Sequence, residues 1–202
     1  MTLETETAAQ DAPEAESETL ARLHARLTAD AAGQDLLDVA YTVMDSPVGG
    51  LLLAATPAGL VRVGFAVEGH DAVLAELAVR VSPRILADAA RLVEPVRQLR
   101  EYFAGSRKTF DLALDLRLAT GFRRTVIEHL SDIGYGATAS YAALAVLAGN
   151  PGAVRAAGTA CARNPLPVVV PCHRVVRSDG KIGNYLGGSD AKRTLLTMEA
   201  AA

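Results

Sequence analysis

Three short runs of β-prone residues between positions 40 and 66 constrain the fold of this 202-residue chain more than any other feature. They occupy residues 40–45, 51–55 and 60–66. The residues that separate them, 46–50 and 56–59, contain Pro and Gly and have the composition of turns. Strands joined by such short turns pair with their neighbours in sequence, so we predict an antiparallel meander.

Helical periodicity dominates the remainder of the chain. We predict helices at 71–80, 88–104 and 120–132, and an edge strand at 110–116, where apolar and acidic residues alternate. The second helix has one apolar face, formed by Leu92, Val96, Leu99 and Phe103, and we predict that Gly105 ends it. No long β-rich stretch follows residue 120. We therefore expect a mixed α+β fold, with a small antiparallel-sheet domain that also contains helices at 39–117 and a mainly α-helical domain at 118–202.

Residues 1–38 form a third region of different composition, with nine acidic and two basic side chains. We predict an acidic and largely flexible extension, with a mobile tail at 1–16, because large apolar groups are scarce there. Ser17 is the predicted cap of a short helix whose apolar stripe is Leu20, Leu23 and Leu27. The rest of the chain is mildly basic, with nine Lys or Arg against five Asp or Glu after residue 120. Such a basic region favours a polyanionic partner.

The two cysteines, Cys161 and Cys172, are too few for a disulfide scaffold or a four-cysteine zinc site. We expect no metal site. The chain shows no signal pattern and no apolar run of roughly 18 residues, which indicates a cytoplasmic protein that spans no membrane. With no Trp and only 4% aromatic residues, the chain is poorly suited to stack bases on a sheet. Any contact with nucleic acid must therefore use helices.

A helix-turn-helix is predicted from two helices, 138–148 and 153–162, on either side of the turn 149–152. Nearly every residue of the second helix is small, and only Arg155 is long. A helix of this kind allows close approach of its backbone to a DNA groove. Tight packing of the same helix inside the domain explains the composition equally well, so both interpretations stay open.

A candidate nucleophile follows the helix-turn-helix. We predict a buried β-branched strand at 168–170, which leads through Pro171 into Cys172, His173 and Arg174. Positive charge near a thiol lowers its pKa and favours the thiolate, which is the reactive form. The alternative is an inert buried cysteine, since free cysteines are often buried.

Two stretches around this cysteine carry a family resemblance, NPLPVVVPCHRVV at 164–176 and GNYLGG at 183–188. They resemble the signature of the O6-alkylguanine-DNA alkyltransferases, which are methylated-DNA–protein-cysteine S-methyltransferases. Further matching stretches are GFRRTVIEHL, SYAALAVLAGN and AVRAAGTACARN, so the resemblance covers residues 120–199. It implies DNA repair by irreversible, single-turnover transfer of the alkyl group from O6-alkylguanine or O4-alkylthymine to the protein's own cysteine. It also implies a monomer that acts on double-stranded DNA and needs no cofactor.

The resemblance assigns roles to five residues around the reaction. Cys172 would accept the alkyl group, His173 would activate it through a bound water, and Glu199 would polarise His173. Tyr141 would donate a proton to the leaving guanine. Asn164 would be a hinge residue that braces the nucleophile.

The resemblance also implies a DNA surface and a base pocket. Arg155 would enter the base stack and fill the gap left by the extruded nucleotide. The DNA-binding residues would be Arg155, Ala156, Gly158, Thr159 and Arg163. The pocket residues would be Tyr185, Leu186, Gly187 and Gly188. Leu186 stands where a typical member has Ser, so backbone N–H groups would have to recognise the guanine oxygen.

Two other functions remain compatible with parts of the sequence. A non-catalytic DNA-lesion binder of the same fold would lack the acceptor cysteine, whereas Cys172 is present. A cysteine hydrolase built on Cys172 and His173 would need an oxyanion motif and a separate histidine partner, and His24, His70 and His129 have no supporting context. An ester-hydrolysis assay distinguishes the hydrolase from the alkyltransferase.

Overall fold

The computed structural model describes residues 11–34 and 36–200 and divides the chain into two compact units at residues 38 and 39. The first unit contains helix α1, Asp11–Gly33. The described part of this helix extends six residues before Ser17, the predicted cap. Residues 11–16 of the predicted mobile tail are thus helical, and residues 1–10 lie outside the described residues. The predicted stripe of Leu20, Leu23 and Leu27 is more than half exposed.

The second unit begins with the predicted meander. Strands β1 (Val39–Met44), β2 (Leu51–Thr56) and β3 (Gly59–Phe65) pair in sequence order and antiparallel. A short fourth strand, β4 (Ile85–Ala87), pairs parallel to β1 and gives the sheet order β3-β2-β1-β4. The sheet is therefore mixed, because this last strand returns through a helix rather than a tight turn.

The predicted edge strand at 110–116 is wrong as a regular strand. This segment runs along β3 and forms a single bridge, Leu60 to Leu114. Gly59 permits the approach, because a Cβ there would lie 2.3 Å from the Ala113 carbonyl oxygen. Pairing ends at Asp115, whose carboxylate accepts hydrogen bonds from Thr56 and the Arg117 amide and turns the chain.

Seven α-helices are present in the described part of the chain, six of them in the second unit. The first two of these six are α2 (His70–Arg80) and α3 (Val93–Phe103), and a 3-10 turn at Ala89–Leu92 precedes α3. Then come α4 (Phe122–Leu130), α5 (Tyr141–Leu147), α6 (Val154–Ala162) and α7 (Gly188–Ala200). None of the described helices is both long enough and apolar enough to cross a membrane. The predicted mixed α+β class is confirmed, with the sheet early in the chain and helices after it.

The helix-turn-helix consists of α5 and α6, as predicted. Two very short strands pair in this part of the chain: β5 (Ala139–Ser140), just before α5, is parallel to β6 (Val175–Val176). The main core is continuous across the predicted boundary at 117 and 118, since Leu99 and Tyr102 of α3 belong to one cluster with Leu130, Leu166 and Leu195. The described residues from Val39 onward form one compact unit, so their division into two domains stays a prediction.

Candidate functional site

The turn that carries the candidate nucleophile differs from the prediction. Residues 168–170 form no strand; Val170 N–H instead donates to the Leu166 carbonyl, and Val168 has a positive φ of 73°. The prolines on both sides of these valines lack the N–H groups that a strand ladder needs, which explains the difference. Cys172 begins a 3-10 turn, Cys172–Arg174, that leads into β6.

The Asn164 side chain forms three hydrogen bonds to this turn and to the residues before it. Its side-chain amide donates to the Val170 carbonyl at 2.8 Å and to the Cys172 Sγ at 3.1 Å. Its side-chain oxygen accepts from Leu166 N–H at 3.0 Å. Because Asn164 is fully buried, the loss of any of these bonds would leave a polar atom without a partner.

Glu199 lies at the centre of a buried polar cluster. Its carboxylate accepts hydrogen bonds from His173 Nε2 and Arg174 Nη2, both at 2.9 Å, and from the Tyr102 hydroxyl at 2.7 Å. Gly136 N–H adds a further bond at 3.2 Å. Burial alone would raise the pKa of this carboxyl group, but the bonds from His173 and Arg174 outweigh burial and hold the pKa well below its usual range. Glu199 is therefore an anion at neutral pH.

His173 is oriented by this carboxylate and is itself fully buried. Because Glu199 can only accept, His173 Nε2 carries the proton and Nδ1 is left with a free lone pair. Nδ1 has no hydrogen-bond partner among the described residues. Burial lowers the pKa of the imidazole, and the Glu199 carboxylate opposes this effect only in part. The ring is therefore neutral at pH 7 and can accept a proton at Nδ1.

The Cys172 thiol is not activated in the way that the sequence suggested. Burial raises its pKa to about 11, although the Asn164 amide and the Lys192 charge both act in the opposite direction. The expected lowering of the pKa is wrong because the Arg174 guanidinium faces Glu199 rather than the thiol. Cys172 is thus a protonated thiol at neutral pH, and formation of its thiolate would require a base.

Two residues near the site were missed from sequence. Lys192 of α7 is fully buried, and its ammonium donates to the Val175 carbonyl and lies 6.0 Å from the centroid of the Tyr141 ring. The helical spacing of Lys192, Leu195 and Glu199 could have indicated that they share a buried face. Tyr102 lies outside the residues that carry the family resemblance, and the predicted apolar face of its helix used Phe103 instead.

Tyr141, the predicted proton donor, is the first residue of α5. Ser140 caps the helix by accepting from Ala143 N–H at 3.1 Å, and its pairing with Val176 ties it to the strand that follows the nucleophile turn. Burial raises the pKa of the Tyr141 phenol to about 12, and the two thiols add to this effect. The phenol keeps its proton at neutral pH and is able to donate it.

The predicted pocket residues form a loop that packs against β3. The Tyr185 ring lies 5.5 Å from the Phe65 ring and 6.4 Å from the His173 ring, measured between centroids. Gly187 must lack a side chain, because a Cβ there would lie 2.7 Å from the Phe65 ring. Gly188 adopts a positive φ of 86° and begins α7. Leu186 lines a cleft of about 360 Å³.

Helix α6 has two different faces. Its buried face consists of Ala157, Ala160 and Cys161. Four of the predicted DNA-binding residues are exposed, and Gly158 is half-buried; the exposed ones are Arg155, Ala156, Thr159 and Arg163. One face of this small-residue helix packs in the core, as the packing interpretation expects, and the other face is exposed, so its approach to a DNA groove stays a prediction. The Thr159 hydroxyl already donates to the Arg155 carbonyl at 3.1 Å.

Comparison with known proteins gives one consistent result. The family model described as 6-O-methylguanine DNA methyltransferase, ribonuclease-like domain, matches residues 39–116, and the model for the DNA binding domain matches residues 121–201. The chain is 40% identical to a methylated-DNA–protein-cysteine methyltransferase of Mycolicibacterium paratuberculosis, over 80% of this chain and 92% of the relative. A protein of the same name from Methanosarcina barkeri is 37% identical over 79% of this chain and 96% of its own length.

Solved structures agree with the sequence relatives. The crystal structure of Mycobacterium tuberculosis O6-methylguanine methyltransferase superposes with a TM-score of 0.71 at 37% identity and covers 81% of this chain and 93% of that one. The M. tuberculosis OGT in complex with DNA superposes with a TM-score of 0.69 at 39% identity, over 80% of this chain and 93% of that chain.

Proposed function

Because this chain belongs to the 6-O-methylguanine DNA methyltransferase family, it binds DNA and repairs it by transfer of an alkyl group to a cysteine, and we propose that Cys172 is that cysteine. The observation that carries the assignment is the Asn164 amide on the Cys172 sulfur, beside a neutral histidine held by Glu199. The other cysteine, Cys161, faces the core from α6. The matches to the methyltransferase family models and relatives favour a repair protein over a non-catalytic lesion binder.

The chemistry follows from the protonation states of the site. His173 Nδ1 takes the Cys172 proton through a bridging water, and Glu199 stabilises the resulting imidazolium. The sulfur then attacks the alkyl carbon, so that a C–S bond forms and the bond from carbon to the guanine oxygen breaks. Tyr141 donates its phenolic proton to the leaving guanine, and its phenolate then takes up, through water, the proton that His173 Nδ1 received from Cys172. Overall, the thiol proton ends on the guanine and the alkyl group on sulfur.

The product is a thioether, which water does not cleave under these conditions. Each molecule therefore acts once, and the reaction as written uses no cofactor. We extend the proposal to O6-alkylguanine and O4-alkylthymine in double-stranded DNA as substrates and to a cytoplasmic monomer as the acting form. The exposed face of α6 supports the DNA part of this proposal, because its small side chains allow a close approach to a groove.

The experiment that tests this function is the intact mass of the protein after incubation with duplex DNA that contains O6-methylguanine. We expect a gain of one methylene group, found by peptide mapping on Cys172 alone. The same duplex without the methyl group is the control and should produce no mass change. An unchanged mass after complete incubation would contradict the proposal.

Arg155 should affect the extrusion of the base from the duplex, whereas Tyr141 should affect the alkyl transfer itself. Arg155→Ala should slow repair of duplex DNA about tenfold more than the reaction with O6-benzylguanine as a free base, because only the duplex reaction requires unstacking. Tyr141→Phe should slow both reactions to a similar extent, since both need the proton, and should leave DNA affinity nearly unchanged. The measurement is a set of single-turnover rates for both variants on both substrates. If Arg155→Ala slows both reactions equally, Arg155 supports the pocket rather than the extruded state.

A further inference from the structure

Strand β3 carries a charged pair that the reaction scheme above does not use. Arg62 is 6% exposed, and its guanidinium forms an ion pair with Glu68, whose side chain is also largely buried. Removing two charges from water is unfavourable, and apolar residues of similar size often stabilise a fold as well as a buried ion pair does. A pair in this position therefore suggests a role other than stability.

The contacts of Arg62 lead to the segment that holds the nucleophile. Arg62 Nη1 donates to the Val63 carbonyl and, at 3.4 Å, to the Pro165 carbonyl. Val63 N–H donates to the same Pro165 carbonyl at 2.8 Å. Strand β3 thus holds the carbonyl group of Pro165, the residue that follows Asn164, and the Asn164 amide contacts the Cys172 sulfur.

The contacts of Glu68 lead to the loop over the pocket. Glu68 Oε1 accepts from Phe65 N–H at 2.7 Å, while its other oxygen faces Arg62. Phe65 in turn packs against the Tyr185 ring and lies against Gly187. Arg62 therefore contacts the chain next to Asn164, and Glu68 holds Phe65, which packs against the loop over the predicted base pocket.

We propose that Arg62 and Glu68 are positioning residues for the alkyl transfer, through which β3 sets the Asn164–Cys172 hydrogen bond and the place of the loop at 185–187. This inference rests on the function proposed above. It gives the sheet-containing part of the chain a direct effect on the chemistry. The two residues touch neither the alkyl group nor the sulfur, so they act only through Pro165 and Phe65.

A second Arg–Glu pair in the same cleft provides a matched control. Arg80 pairs with Glu76 and donates to the Leu118 carbonyl at 3.0 Å. Both side chains of this pair are about 40% exposed. Among the contacts described for Arg80, none reaches Asn164, Pro165 or the loop. Arg80→Met therefore removes the same chemical group from the same cleft without breaking a hydrogen bond to Asn164, Pro165 or the loop.

The experiment compares Arg62→Met with Arg80→Met, both in a Cys161→Ala background so that Cys172 is the only thiol. We expect Arg62→Met to lower the rate of transfer from O6-benzylguanine at least tenfold per folded molecule. The pH profile of Cys172 alkylation by iodoacetamide should also move to higher pH, because the Asn164 bond favours the thiolate. Arg62→Lys keeps the charge and should restore part of the rate, and Arg80→Met should match the background protein in both measurements.

Several outcomes would overturn the inference. One is an Arg62→Met protein that is less stable than the background protein but transfers the alkyl group at the same rate. If its Cys172 alkylation by iodoacetamide also shows the same pH profile, or one moved to lower pH, the role of Arg62 is merely structural. If Arg62→Met does not fold, Glu68→Gln takes its place with the same expected results, because it removes the ion pair and retains an acceptor for Phe65. If the background protein itself places no alkyl group on Cys172, the proposed function fails; if only the Arg62 and Glu68 variants behave like the background, only this inference fails.

Discussion

Cys172→Ser lowers alkyl transfer from O6-methylguanine in duplex DNA by about a thousandfold or more, to the limit of detection. A serine hydroxyl is far harder to deprotonate than a thiol, and the neutral hydroxyl is a weak nucleophile. The substitution keeps the size and the hydrogen-bonding capacity of the side chain, so Asn164 retains an acceptor and the fold should persist. The measurement is a single-turnover assay with labelled DNA, accompanied by a binding titration that we expect to be nearly unchanged.

Cys161→Ala is the matched control for this prediction. Cys161 is also buried, and burial raises its pKa even more than that of Cys172. This variant should transfer the alkyl group at close to the wild-type rate. Label on Cys161 in the wild type or in Cys172→Ser, or residual transfer by Cys172→Ser, would show that the acceptor is assigned wrongly.

Glu199→Gln should be the most destabilising of the isosteric substitutions in the site. The carboxylate accepts from Tyr102, Gly136, His173 and Arg174, and a glutamine amide offers only one accepting oxygen to these donors. The substitution also leaves the Arg174 guanidinium buried without an anion, which costs about 3–5 kcal/mol when one partner of a buried pair is removed. We expect a loss of this size in the free energy of unfolding by urea at pH 7, and a fall in transfer rate on the order of a hundredfold.

The pH dependence of stability provides a second measurement on the same variant. The pKa of Glu199 is lower in the folded protein than in the unfolded chain, so the unfolded chain takes up a proton first as the pH falls. The wild type therefore loses stability as the pH drops below about 4.5, and this loss should be smaller in Glu199→Gln. Glu76→Gln, in the half-exposed pair with Arg80, should change stability by less than about 1 kcal/mol and serves as the control. Equal unfolding curves for Glu199→Gln and wild type would contradict the central role of the carboxylate.

The meander could be predicted from sequence because its information is local. Short β-prone runs and Pro- or Gly-containing turns determine the pairing of β1, β2 and β3 without reference to distant residues. Strand β4 has only three residues, and each pairs with a residue of β1 that lies 46 positions earlier, so no local pattern indicates this strand. The valines at 168–170 show the opposite error, since their strand propensity is overridden by the flanking prolines and by the Asn164 side chain.

The site was predictable to the extent that its residues belong to motifs. Cys172, His173, Asn164 and Tyr141 lie in stretches that resemble one family, and the structure brings them together. The return of Glu199 to His173 does not follow from their spacing, and the Tyr102–Glu199 bond joins residues 97 positions apart. Lys192 was missed because lysine side chains are rarely fully buried. Contacts of this kind exist only after the core has formed, so a single sequence does not encode them in any local pattern.

The burial of the Cys172 thiol has a consequence for the lifetime of the unused protein. A protein that reacts once must keep its sulfur intact until a lesion is found, and oxidants and stray electrophiles attack thiolates that are accessible. Burial raises the pKa of this thiol to about 11, so at pH 7 its thiolate is much rarer than in an ordinary exposed cysteine, in which it amounts to a few per cent. The low reactivity of Cys172 before substrate binds thus protects the unused protein from side reactions. The sulfur becomes a nucleophile only when a base and a bound alkyl group are present together.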